Sequence, residues 1–79
     1  MNQPEENLDL SGIPCPANAA RALLAIEGLD PGTLLRISLD DGEPIANVPP
    51  ALEEQGHTVM ERTRQGQGWR VLVRRGLQP

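Results

Sequence analysis

Along this chain, stretches in which apolar and polar residues alternate are separated by stretches in which apolar residues recur three or four apart. "NLDL" at 7–10 alternates, with Leu8 and Leu10 pointing one way and Asp9 the other, which predicts a short first strand. "SGIP" then turns the chain, with Gly12 able to take a positive φ. From Pro16 to Glu27 most residues are good helix formers. Ala19, Ala22 or Leu23, and Ile26 fall at helical spacing, and Gly28 supplies a stop. "DPG" at 30–32 reads as a turn. "TLLRISLD" at 33–40 reads as a strand, with Leu35, Ile37 and Leu39 on one face and Leu34, Arg36 and Ser38 on the other.

The segment "DGEPIANVPPALEEQG" carries two opposed signals. Ile45, Val48 and Leu52 have helical spacing, but Pro49 and Pro50 interrupt it. A proline inside a helix costs about 3 kcal/mol, whereas in the first turn it costs little. The expectation is therefore a loose turn at 43–48 and a helix at about 49–55, ended by Gly56. His57–Arg64 and Trp69–Arg75 are two further strands, joined as a hairpin through "QGQG". The order βαβαββ predicts an α+β fold: a two-layer α/β sandwich, a four-stranded mixed sheet with both helices on one face. The right-handed crossover rule makes strands one and two parallel if they are neighbours. Residues 1–6 are expected to be a flexible N-terminus, 7–75 a single domain and 76–79 a C-terminal tail.

Composition narrows the function. In 79 residues there is no Phe or Tyr, and Trp69 is the sole aromatic, so the core must be aliphatic. A chain of this length hides only roughly 60–65% of the surface its unfolded form exposes, so that core is thin. Aromatic platforms for stacking bases are missing. The formal charge of −4 also opposes a general polyanion binder. Stable nucleic-acid binding is therefore not expected. A single cysteine, Cys15, rules out an internal disulfide framework. One His and one Cys make a metal site an unexpected feature. The opening "MNQPEENLDL" has neither the basic start nor the apolar run of a signal peptide. No apolar run approaches the roughly 20 residues that span a bilayer. The expectation is a cytoplasmic chain with no membrane contact, in a compartment that keeps a thiol reduced.

That thiol stands between two prolines, in "SGIPCPANAARALLAIEG", where turn becomes helix. If the helix starts at Pro16, Cys15 is its N-cap and Pro16 takes the first helical position, where a missing N–H is harmless. Asn18 then falls at the third position, with its amide oxygen able to accept from the N-cap backbone as in a capping box. The sulfur would lie over the free N–H groups of the first turn, at the positive end of the helix dipole. A free thiol is only about a few per cent ionised at neutral pH. A helix terminus contributes roughly 0.3–1 kcal/mol, so the position predicts mild activation. A moderate thiol, both nucleophile and leaving group, suits a carrier of sulfur. From spacing alone, a small apolar residue closing the helix end explains Cys15 as well.

"LDLSGIPCPANAARALLAI" resembles the start of the TusA/SirA-like sulfur-carrier family, whose signature is a short strand, "D-x-x-G-x-x-C-P-x-P" and a helix. Asp9, Gly12, Cys15 and Pro16 stand at the signature positions. "LDPGTLLRI" is similar to the family's helix–"PG"–strand step, and "VPPALEEQGHTV" to its "I-P" followed by a helix ending in "GH". The likeness covers roughly residues 7 to 75. It implies a sandwich like the C-terminal domain of translation initiation factor three. It also implies that Cys15 accepts persulfide sulfur from a donor protein, a cysteine desulfurase or a rhodanese-like protein, and relays it to an acceptor protein. The resemblance adds no cofactor; the sulfur on Cys15 is cargo, destined for tRNA thiolation, molybdenum cofactor maturation or sulfur oxidation. Such a chain is a partner-dependent relay more than a self-sufficient catalyst. In one departure, Asn18 replaces the signature's second proline and sets a polar amide beside the sulfur.

The remaining polar residues carry plainer expectations. Asp9 is expected to fix the turn before Cys15 through backbone N–H groups, in preference to a role as proton acceptor. His57 is expected at the surface or hairpin edge, and Trp69 at the core edge. Asp40–Asp41 and Glu53–Glu54 read as solvated charge. Period-two counting suggests that Arg36, Arg62, Arg64, Arg70 and Arg74 share the helix-free side of the sheet, a basic face for an acidic partner. Two rival functions remain at this level: a non-catalytic interaction module of the same fold, for which Asn18 speaks, and a weakly RNA-binding domain, for which the arginines speak.

Overall fold

A computed structural model describes residues 5–77. Its elements run β1 (Glu5–Asp9), α1 (Ala17–Glu27), β2 (Leu34–Asp40), α2 (Glu43–Glu54), β3 (Thr58–Gln65) and β4 (Gly68–Arg74). The four strands form one mixed sheet in the order β1-β2-β4-β3. β1 runs parallel to β2, while β4 is antiparallel to both β2 and β3. This is the α+β two-layer arrangement that the order of apolar patterns predicts.

Alternation on β2 decides which face is covered. Leu35, Ile37 and Leu39 are buried, and β4 sets Val73, Val71 and Trp69 opposite them. Ala22 and Ile26 of α1 and Val48 and Leu52 of α2 close over these side chains, with Leu10 sealing the end of β1. Fully burying one such side chain contributes about 1.5–3 kcal/mol, so this aliphatic layer holds helices to sheet without aromatic help.

Element bounds differ from expectation at several points. Glu5 and Glu6 pair with Leu34 and Leu35 in β1 rather than fraying, while residues 1–4 lie outside the described part. At the other end, Gly76 donates its N–H to His57 Nδ1 at 2.9 Å; residues 78–79 of the expected tail lie outside the described part. Most consequential, α2 is one helix from Glu43, not a loose turn followed by a helix. Pro44 sits in its first turn, and Pro49 and Pro50 lie inside it. Having no N–H, Pro49 and Pro50 cannot donate to the carbonyls of Ile45 and Ala46. Burial outweighs that loss: Val48, Pro49 and Leu52 are all packed away from water.

Candidate functional site

The carboxyl end of β1 leads into the loop that carries the thiol, beside the carboxyl end of its parallel neighbour β2. Leu10 continues the parallel ladder, donating to Ser38 O at 3.0 Å. Asp9 Oδ1 then accepts the Ser11 N–H at 2.9 Å. This backbone donor, with the Ser11 hydroxyl second, holds the Asp9 carboxyl below the usual carboxylate range. Gly12 takes φ +77°, a left-handed conformation that suits glycine, and donates its N–H to Asp40 Oδ2 at 2.8 Å. Ile13 N–H closes the turn on Leu10 O at 3.1 Å. Asp40, read from sequence as solvated charge, is thus a fastener for the loop. The β1–β2 register carries the signal: Asp9 pairs with Ser38, so two residues further on the loop runs beside Asp40.

The helix begins one residue later than expected. Pro16, not Cys15, is the N-cap of α1, the Cys15–Pro16 peptide is cis, and Ala17 is the first helical residue. The first-turn donors are mostly engaged: Asn18 N–H goes to Pro14 O at 3.0 Å, Ala19 N–H to Asn18 Oδ1 at 2.7 Å and Ala20 N–H to Pro16 O at 3.2 Å. The capping box therefore does not form. Asn18, fully buried, turns its amide the other way and donates Nδ2–H to Cys15 Sγ at 3.2 Å. Because a backbone N–H can only donate, the Ala19 contact requires Oδ1 on that side and fixes the amino group toward the sulfur.

A second amide approaches from α2, where Asn47 Nδ2 lies 3.8 Å from the same sulfur. Sequence reasoning missed Asn47 because the tandem prolines hid the first turns of α2. Cys15 is half-buried and free. It opens onto a groove of about 370 Å³, shared with Gly12, Ile13, Pro14, Asp40, Asp41 and Glu43. The groove gives a thiol access to a second reactant, and its rim is acidic.

A family model described as sulfurtransferase TusA matches residues 6–75. The chain belongs to the TusA family. Its relatives include "Putative sulfur carrier protein" from Archaeoglobus fulgidus and "Putative sulfur carrier protein YedF" from Escherichia coli. The first is 30% identical over 89% of this chain and 81% of the relative; the second is 32% identical over 91% of this chain and 94% of the relative.

In this TusA-family chain the five arginines do not share one face. Residues opposite each other in an antiparallel pair lie on the same side of a sheet. Arg62 and Arg64 stand opposite Val71 and Trp69, whereas Arg70 stands opposite Ser38 and Thr63, and Arg74 opposite Leu34. A register shift between Val59 and Glu61 contributes to this placement. Arg36, Arg70 and Arg74 remain on the helix-free side, where Arg36 pairs with Glu5 at 2.8 Å and Glu61 lies nearby. That side is mixed in charge.

Arg64 instead stacks over Trp69 at 4.9 Å from the ring centroid and reaches Asp41 Oδ1 at 3.3 Å. The indole Nε1–H donates to the same carboxyl oxygen at 2.9 Å. This indole bond, with the Gly42 N–H and Arg64 behind it, holds the Asp41 carboxyl below the usual range. Asp41 is thus a fixed acceptor on the groove rim.

His57 is buried, not at the surface. Nδ1 accepts from Gly76, and Nε2 lies 3.9 Å from Glu27 Oε2. Burial pushes its ionisation below the ordinary value of 6.5; Arg75 acts in the same sense and Glu27 opposes. Among the described residues, no three His, Cys, Asp or Glu side chains gather as they would around a metal ion. Among the same residues, no helix is long and apolar enough to cross a membrane.

Proposed function

We propose that this chain is a sulfur carrier in which Cys15 holds a persulfide and passes its outer sulfur from a donor protein to an acceptor protein. The observation that carries the reading is Cys15 Sγ at the wall of an open groove, half-buried and bonded by the Asn18 amide within the family signature. A half-buried sulfur is protected from bulk oxidant yet reachable by a partner's sulfur. Loading has the Cys15 thiolate attack the outer sulfur of a donor persulfide, and the donor's own thiolate leaves with the bonding pair. Delivery reverses the roles: an acceptor nucleophile takes the outer sulfur, and Cys15 Sγ leaves as thiolate.

Each positioning residue has a part in this reading. Asp9 and Gly12 shape the loop, and Pro16 carries the chain from the thiol into α1. Asn18 favours the carrier over a lapsed, purely structural descendant, because its amide is spent on the sulfur. The reading places the chain in a reducing, cytoplasmic setting, where the thiol stays available.

Incubation with a cysteine desulfurase and cysteine, followed by intact mass measurement, tests the proposal. The expected result is a gain of one sulfur atom that disappears in Cys15→Ser. A parent chain that gains none from this donor, from a rhodanese-like donor or from polysulfide overturns it.

A further inference from the structure

The sulfur of Cys15 receives its side-chain hydrogen bonds from two different helices, and the two donors are unlike. Asn18 on α1 is wholly buried, with its oxygen locked on Ala19 and its amino group 3.2 Å from Sγ. Asn47 on α2 is exposed, and its amino group stands 3.8 Å from Sγ, long for a bond to that atom. The outer sulfur of a persulfide lies about 2.05 Å beyond Sγ. An extension of that length toward α2 brings the outer atom within closer reach of Asn47. The neighbouring groove carboxylates, Asp40, Asp41 and Glu43, accept hydrogen bonds when ionised and repel an anion. Neutral amides are thus the side-chain groups placed to stabilise negative charge on sulfur.

We propose, on the carrier reading above, that the two amides divide the work. Asn18 holds Sγ whenever it is anionic, as the attacking thiolate in loading and as the leaving thiolate in delivery. Asn47 is a positioning residue for the loaded state, donating to the outer sulfur of Cys15–S–S⁻. Neutral donors in an acidic surround hold the cargo without making its release difficult. A cationic partner at the same place would bind the persulfide anion more firmly and slow its departure.

The test compares the parent chain, Asn18→Leu and Asn47→Leu, each checked for cooperative thermal unfolding. The unloaded thiol is alkylated with iodoacetamide across pH. Loaded protein is made with sodium polysulfide, and its persulfide-anion absorbance is followed across pH. Sulfur delivery to cyanide is read as thiocyanate, a step in which cyanide takes the outer sulfur and Sγ leaves as thiolate. Asn18→Leu is expected to slow both alkylation and delivery roughly tenfold at neutral pH, the scale of one hydrogen bond to an anion. Its alkylation profile should move to higher pH, a displacement that looser packing alone does not produce. Asn47→Leu should slow alkylation less than Asn18→Leu does, while the persulfide-anion band appears at higher pH than in the parent. Folded variants that reproduce the parent's profiles and rates overturn the proposal. If Asn18→Leu does not fold, the persulfide band of Asn47→Leu decides alone. If the parent takes up no sulfur, the carrier reading and the Asn47 assignment both fall, and the alkylation profile of Asn18→Leu still judges the inner donor.

Discussion

Asp40 Oδ2 accepts the Gly12 N–H at 2.8 Å, so the last residue of β2 holds the loop that delivers Cys15 to its groove. Nothing within 4 Å would meet a Cβ at Gly12, so the demand for glycine there comes from its φ of +77° alone. Gly12→Ala is expected to cost about 1–2 kcal/mol through that left-handed backbone. Asp40→Ala should cost about 0.5–1.5 kcal/mol, the net contribution of one ordinary hydrogen bond. Urea unfolding measures both. Hydrogen exchange distinguishes them from general loosening, because the Gly12 amide should lose protection in Asp40→Ala while β4 amides keep theirs.

Gly68 makes a different demand. A Cβ at this position would come within 2.6 Å of the Leu39 backbone oxygen. A backbone atom in a paired strand cannot step aside, so Gly68→Ala should destabilise by about 1–3 kcal/mol, in the range of overpacked cores. The lost stability should appear in chemical denaturation, with the register of β2 on β4 disturbed near Asp40 and Gly68.

The buried imidazole predicts a direction with pH. His57 ionises below its ordinary value in the folded chain, mainly because burial disfavours the charged form. The unfolded chain therefore binds more protons in that range, and stability contributed by neutral His57 is complete above about pH 6.5 and declines as pH falls through the folded value. Asp9 and Asp41, both held below 3.8, add a separate decline in stronger acid as they protonate. Thermal midpoints measured from neutral to mildly acidic pH should fall in the parent and flatten in His57→Gln. A parent curve that is level across that interval contradicts the assignment.

Pro50 is exposed inside α2 and donates nothing to Ala46 O. Pro50→Ala restores that donor, and the gain outweighs the added freedom of the unfolded chain, about 0.4–1 kcal/mol. The variant should be more stable by about 1–2 kcal/mol, against a helix-interior penalty of about 3 kcal/mol. Pro49→Ala should gain less or lose, because Pro49 is fully buried and the smaller side chain leaves part of its space empty.

Local pattern carried most of the fold. Leu35, Ile37, Leu39, Val71 and Val73 alternate cleanly because one face of their strands is dry and the other wet. The second helix was obscured because tandem prolines are a local penalty, whereas the burial of Val48, Pro49 and Leu52 is a tertiary gain that no window of sequence displays. Cys15, Asp9 and Gly12 were legible through their spacing. Asn47 and Asp40 were not, since each meets the loop across about thirty residues of intervening chain, through packing and register. The arginines show the limit of parity counting: a single register shift in β3 contributes to placing Arg62 and Arg64 away from Arg70 and Arg74.

Trp69 is the only aromatic residue in the chain, and its indole is tied to Asp41 on the rim beside the thiol. On the carrier reading, intrinsic fluorescence from this protein has one source, tied to the rim of the groove that a partner's sulfur would enter. Encounter, dissociation and the protonation of that rim carboxylate can each be timed optically, without attaching a dye or altering the cysteine.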